Sequence, residues 1–181
     1  MRLKELTAAA HARLDSHVDQ AGFFESQNGY RQYLLATWRA RAHLESQLDR
    51  SGATTLFPLW PERRLRELLL RDLADLGEPA REAAVPSEEP RLDAAAMLGT
   101  LYVLEGSALG ARVIERRVAQ LGMTAEFGAR HLAWQTTRGT AWARFLEILE
   151  ETLLPSQSED QCVRSALATF ARFERAYRAA E

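Results

Sequence analysis

Along most of the chain, apolar residues recur at the three- and four-residue steps of an α-helix, and no segment follows the two-residue step of a strand. Leu3, Leu6, Ala10, Leu14 and Val18 predict a first helix over residues 3–18. A connection at 20–27 follows. Tyr30, Tyr33, Leu34, Trp38, Ala42 and Leu48 then predict a second helix over 28–48. Residues 50–61 contain Gly52, Pro58 and Pro61 and read as a loop. A third helix is expected over 62–76, stopped by Gly77. The three prolines in 78–90 make that stretch a loop. The longest helical pattern runs over 92–121 and stops at Gly122. A fifth helix is expected over 124–135 and holds His131 and Trp134, and a sixth spans 140–154 and ends at Pro155. Ser156 and Glu159 have capping-box spacing, with Ser158 an alternative cap, and open the last helix. The expectation is a single all-α domain over residues 1–181, with about seven helices and short connections.

Inside the longest pattern, Leu98, Leu101, Val103, Leu104, Leu109 and Val113 surround Gly106, Ser107, Gly110 and Ala111. A glycine within a helix costs about 1 kcal/mol relative to alanine. Two of them four residues apart lie on one face and call for a compensating gain. One gain is close helix–helix packing through small residues. The other is a flat ligand lying against bare backbone, helped by a kink. Spacing alone leaves both open.

Composition narrows the field. With 181 residues, 46% of them hydrophobic, the chain can bury a sizeable core. Its net charge of −2 gives no global basic field of the kind that recruits nucleic acid. The single cysteine, Cys162, excludes an internal disulfide and a multi-cysteine metal cluster, and its helical setting suits an ordinary buried thiol. The N-terminal MRLKELTAAAH is charged and amphipathic and lacks the apolar centre of a signal peptide. No apolar run is read as a membrane span, so a cytoplasmic protein is expected. Arg63, Arg64, Arg66 and Arg71 read as a solvated basic face paired with Glu67 and Asp75, with a docking patch as the alternative.

The candidate chemistry is sparse. P-loop, Ser-His-Asp and dinucleotide signatures are missing, and so is a Glu-x-x-His pair for a di-iron site. His43 and Glu45 are not three or four residues apart and so do not share a metal. His11 shares a helix face with Lys4, Thr7, Leu14 and Val18, with Lys4 about 10 Å away along the axis. His17 points elsewhere. An inward histidine is by itself compatible with a hydrogen-bonded core residue. One inward imidazole on one helix and a glycine-rich backbone on another also match what a haem sandwich needs, an axial ligand and an unobstructed opposite face.

Two motifs sharpen this. Leu3-Lys4-Glu5-Leu6-Thr7-Ala8-Ala9-Ala10-His11 resembles the proximal-helix motif of haem oxygenases. Tyr102-Val103-Leu104-Glu105-Gly106-Ser107-Ala108-Leu109-Gly110-Ala111 resembles their distal-helix motif, especially that of bacterial members. Looser likeness runs through Trp60-Pro61-Glu62-Arg63 and Asp72-Leu73-Ala74-Asp75-Leu76-Gly77, so it covers most of the chain.

The resemblance implies a haem-oxygenase-like fold with haem between the first helix and a glycine-kinked distal helix. His11 would ligate the iron and Lys4 would pair with a propionate. Gly106 and Gly110 would let the distal helix bend closely over the haem. Ser107 stands where some members carry a water-ordering aspartate, and Ala111 where many carry a further glycine. Ala143 and Glu147 fall near the places of cationic propionate partners, which leaves Arg144 as a substitute, and Arg112 or Arg116 to serve propionates or a reductase. The implied reaction opens haem, at once substrate and cofactor, to biliverdin, carbon monoxide and ferrous iron. It uses molecular oxygen and electrons from ferredoxin or a flavoprotein reductase, with a bilin acceptor downstream. No nucleic acid or membrane span is implied. Two rivals on the same scaffold are a non-catalytic haem or tetrapyrrole carrier or sensor, and a thiaminase-like hydrolase, for which Cys162 is poorly placed.

Overall fold

The computed structural model describes residues 2–78, 89–137, 140–152 and 156–180. Among them helices alone form regular structure: α1 (Arg2–Gln20), α2 (Gln27–Ser51), α3 (Ala53–Leu56), α4 (Trp60–Arg63), α5 (Arg66–Asp75), α6 (Ala94–Gly106), α7 (Ala108–Ala119), α8 (Arg130–Thr137), α9 (Thr140–Glu151) and α10 (Ser156–Arg178). Local chemistry sets several ends. The Ser26 hydroxyl accepts from Gly29 N–H at 3.0 Å to start α2, and Gly52 in the left-handed region (φ 81°) stops it. The Asp93 carboxylate accepts from Ala96 N–H at 2.7 Å to start α6. Gly77 and Gly122, the two stops read from the sequence, both have positive φ.

α6 is the central element. It is apolar on all sides, and every residue from Ala95 to Leu101 and from Val103 to Glu105 is buried, as a helix without a polar face requires. Its main neighbour is α10, which also packs on α1 and α2. The contact is closest at Gly99, where a Cβ would collide with the Cys162 carbonyl oxygen. Gly99 is therefore the glycine that serves helix–helix packing. Around it the core combines leucines such as Leu34, Leu48, Leu69 and Leu73 with the fully buried aromatics Trp60, Tyr30, Phe23, Phe57 and Phe145.

Several expectations are corrected. The pattern over 92–121 is not one helix: it breaks at Ser107 into α6 and α7. The apolar period runs unbroken across the joint, so it carries no sign of it. The Ser107 hydroxyl donates to Leu104 O at 2.6 Å, the local side-chain bond that competes with helix continuation. Residues 50–61 contain α3 and the start of α4, each too short to show a helical period. The expected third helix is two, because Arg64 turns extended (ψ 132°) between α4 and α5. α8 begins late, after a turn in which Thr124 and Phe127 exchange backbone hydrogen bonds and Gly128 has φ 73°. The described structure thus has ten helices.

Arg63 is not on a solvated face. It is 5% exposed and ion-paired with buried Glu105. Leu6, Leu109 and Val113, counted in the apolar pattern, are exposed. The stretch Ala94–Ala119 does have the length and apolar composition of a membrane span, but 61% of its most apolar window is buried inside the fold, as in a core helix. α10 begins at Ser156 as expected; Leu154, Pro155 and most of the proline-rich 78–90 stretch lie outside the described residues.

Candidate functional site

A cavity of about 850 Å³ opens between α1, the α6–α7 joint and α10. α1 supplies Lys4, Thr7, Ala8, His11, Leu14 and Val18, and α10 supplies Phe170, Phe173 and Tyr177. The joint contributes Tyr102, Val103, Gly106, Ser107, Leu109, Gly110 and Ala111. The structure therefore brings Lys4, His11, Gly106, Ser107, Gly110 and Ala111 onto one space, although nearly the whole first half of the chain separates the two motifs.

His11 differs from a core histidine. Its side chain is 60% exposed, and its Nδ1 lies 3.0 Å from Asp15 Oδ2, one turn on. The carboxylate fixes Nδ1 as the protonated nitrogen and leaves Nε2 as the free ligand atom. Phe170 meets the ring edge-on at 5.7 Å and limits its rotation.

The two glycines divide. A Cβ on Gly106 would meet the Trp142 ring at 3.6 Å, an ordinary contact. A Cβ on Gly110 would meet nothing within 4 Å. No neighbouring helix packs there, so the packing explanation does not apply to Gly110 and bare backbone faces open space. Ala111 is buried.

The Ser107 hydroxyl is already committed. It donates to Leu104 O and accepts from Gln135 Nε2 at 3.1 Å. It thus links α8 to the joint rather than standing as a free water-ordering group.

A polar floor, unforeseen in the sequence, lies behind the apolar walls. Arg41 lines the cavity and pairs with Glu45 at 2.8 Å, both buried. Glu45 also accepts from Leu65 N–H (2.9 Å) and Arg66 N–H (3.1 Å), so one carboxylate ties α2 to the start of α5. Arg63 Nε donates to Glu105 Oε2 at 2.8 Å. Burial still holds the Glu105 carboxyl above its usual range, against the pull of Arg63 and Arg41. Tyr33 and Tyr177 stack at 5.4 Å, with the Tyr177 hydroxyl 3.0 Å from Thr37 Oγ1. Burial raises both phenols' pKa, which keeps them protonated.

His131, on α8, completes the floor. Asp72 Oδ2 accepts from its backbone N–H (3.0 Å) and ring Nδ1 (2.8 Å), while Asp72 Oδ1 accepts from Arg130 N–H (3.0 Å). His131 Nε2 is buried without a partner. Burial lowers the ring's pKa, with Asp72 pulling the other way. The one available hint was Arg41 and Glu45, opposite charges one turn apart on α2.

Other candidates separate from the cavity. His43 pairs with Glu89 at 2.9 Å, away from Glu45's partners. Arg112, Arg116 and Arg144 are exposed and do not line it, whereas Arg117 does, held by Asp19 at 2.7 Å and stacked 4.5 Å over Phe24. Burial pushes the Cys162 thiol up to about 11, which makes it a poor nucleophile. Among the described residues no group of three His, Cys, Asp or Glu side chains is placed to hold a metal. A group that brings its own iron and asks for one imidazole suits this set better.

Comparisons with known proteins agree with this geometry. A family model described as "Heme oxygenase" matches residues 1–179. The chain is 34% identical over 173 residues to heme oxygenase PigA of Pseudomonas aeruginosa, covering 95% of this chain and 87% of that protein. It is 38% identical over 146 residues to a heme oxygenase of Xanthomonas campestris, covering 80% and 86%. In three dimensions it resembles the NO- and CO-bound heme oxygenase of Neisseria meningitidis, with a TM-score of 0.87, 28% identity and 99% and 89% of the two chains covered. The heme oxygenase of Leptospira interrogans shares the fold at a TM-score of 0.76 and 15% identity, over 98% and 97%.

Proposed function

The chain belongs to the haem oxygenase family, and from that membership we propose how its cavity binds haem and which residues serve its degradation. The carrying observation is an exposed imidazole and a glycine backbone with no packing neighbour lining one cavity. The residues fit haem: about 850 Å³ lies within the range of about 300–1,000 Å³ usual for ligand pockets, the walls are mostly apolar, and a cation stands at one edge. Bound haem supplies the iron that takes oxygen and electrons and the ring that is opened to biliverdin, carbon monoxide and ferrous iron.

The protein's part is binding and orientation. His11 Nε2 would hold the haem iron, with Asp15 on Nδ1 keeping the ring in the ligating tautomer. Lys4 offers its ammonium to a propionate. Gly106 and Gly110 keep side-chain atoms away from the oxygen side, and Ala111 sets the wall beyond them. Ser107, fixed by Gln135, holds the α6–α7 joint in place. Leu109 and Val113 line the cavity with exposed side chains and would offer apolar contact to the edge of bound haem. Electrons come from ferredoxin or a flavoprotein reductase, and a bilin acceptor takes the product. The hydrolase alternative finds no support in Cys162, which is buried, does not line the cavity and has its thiol held protonated.

The direct test incubates the haem complex with oxygen and ascorbate, or with ferredoxin and its reductase, with catalase present to remove free peroxide. Loss of the Soret band with formation of one biliverdin isomer supports the reading. Stable haem despite measured electron delivery selects the carrier.

The glycine assignment has its own test. Gly110→Ala gains up to about 1 kcal/mol of helix propensity and stabilises the haem-free protein in urea. Gly110→Leu leaves the haem-free fold intact, because nothing is there to collide with, yet weakens haem binding by about 1–3 kcal/mol through overpacking of the filled site. Equal haem affinity in Gly110→Leu and the parent rules out close approach of the ligand to this backbone.

A further inference from the structure

Resting on the haem reading above, we propose that His131, oriented by Asp72, is a positioning residue that holds water as a hydrogen-bond acceptor on the floor of the cavity. The geometry fixes its polarity. Asp72 is fully buried and accepts four N–H groups: the backbone N–H groups of Arg130 and His131, the Arg130 guanidinium, and ring Nδ1 of His131. A carboxylate so surrounded only accepts, so Nδ1 carries the ring proton and Nε2 presents a lone pair.

That lone pair is the anomaly. His131 is 2% exposed and lines the cavity, and its Nε2 has no protein partner among the described residues. Buried polar atoms are satisfied by protein or by ordered water, and the space beside this one is the ligand cavity. The surroundings suit water. Gln135 lies one helical turn on and also lines the cavity, with its amide already on the Ser107 hydroxyl. Arg41 faces the same floor and opposes protonation of the imidazole. On its far side Asp72 continues through Arg130 to Asp75, both partly exposed, so the dyad joins the cavity to the solvent edge of α5. The Ser107 proton is spent on Leu104 O and one of its lone pairs on Gln135, so His131 adds an acceptor on the cavity floor that makes no other hydrogen bond.

The test has two parts. In the haem-free parent, ¹⁵N NMR of the imidazoles reads the His131 tautomer. Protonation at Nδ1 alone, from about pH 6 to 8, is expected; an Nε2–H tautomer or a cation overturns the proposal. In the haem-loaded protein, His131→Phe is compared with His131→Gln, whose amide oxygen can still accept. Asp72 is left unchanged because it also caps α8. His131→Phe should shift the acid–alkaline midpoint of the ferric haem spectrum by about half a pH unit or more. It should also lower biliverdin formation at least about 10-fold while haem affinity stays near the parent's. His131→Gln should recover most of both. If His131→Phe does not fold, the Gln variant and the tautomer decide. A parent midpoint and parent product yield in the folded Phe variant overturn the role of His131 alone. A parent protein that neither binds nor degrades haem overturns the haem reading itself, and this proposal with it.

Discussion

His11→Ala abolishes haem turnover and the axial-imidazole spectrum while leaving the fold standing. The side chain is 60% exposed and spans an open cavity, so its removal creates no void in the core. Exposed substitutions of this kind stay within about 0.5 kcal/mol of the parent in stability. Alanine is the better helix former at this position of α1, which offsets loss of the exposed contact with Asp15. Ligation behaves differently, because no other histidine on α1 faces the cavity and His17 does not line it. Hydrogen-bond partners of metal-binding side chains are worth about 10–100-fold in affinity or activity, so loss of the iron-binding side chain itself should cost at least about 100-fold in turnover. Haem titration, the optical spectrum and product assay check this together. Added imidazole entering the vacated slot should restore the parent spectrum in part, which a purely structural histidine would not allow. An unchanged spectrum and affinity in the variant reject His11 as the ligand.

The second large effect falls on stability. Arg63→Met removes one half of a fully buried ion pair and strands Glu105 beside the α6–α7 joint. Breaking a buried pair in this way costs about 3–5 kcal/mol, because the remaining charge keeps its desolvation penalty. The sign of the pH dependence follows from Glu105. Its folded-state pKa is raised by burial, so the folded state holds a proton that the unfolded chain gives up more readily. Its contribution is therefore most favourable below the ordinary carboxylate range and is lost as pH rises through the folded value. Without Arg63 the pKa rises further and the penalty at neutral pH grows. Urea unfolding should show a larger deficit for Arg63→Met at pH 7 than at pH 5. The double variant Arg63→Met with Glu105→Leu should recover much of the loss, since apolar replacement of both partners is often neutral. An equal deficit at both pH values would mean that Glu105 is not the stranded charge.

These two predictions draw on different kinds of information. His11, Lys4 and the glycines were legible because each belongs to a contiguous motif on one helix face. α1 and α2 were legible because their apolar periods run for several turns, the start of α10 because of its capping-box residues, and Gly77 and Gly122 because they stop helices with positive φ. The glycines signalled a bend between Gly106 and Gly110; what stayed hidden was that it divides the helix at Ser107, which keeps helical φ/ψ while its hydroxyl bonds Leu104 O and its carbonyl accepts from Gly110 N–H. Arg63 looked like surface because the arginines around it are surface; its partner stands 42 residues away and cannot be read from spacing. The same holds for Asp72 and His131, 59 residues apart, although both stood in plain view in the sequence. Local patterns report propensity and faces. Buried polar pairs are set by tertiary placement, and it is such pairs that furnish the cavity floor.

The place of α10 bears on how the protein is made. This helix forms one cavity wall with Phe170, Phe173 and Tyr177, and its backbone seats Gly99 of the central helix. It also packs on α1, from which most of the chain separates it in sequence. During synthesis the imidazole-bearing helix emerges early, yet the pocket it faces stays unwalled until α10 has left the ribosome. Contacts of such long sequence separation make loop closure the slow step of assembly. In the interval, the apolar faces of α6 and α1 are open to chaperones and to wrong partners. Closure of this pocket therefore waits for α10 to join the fold.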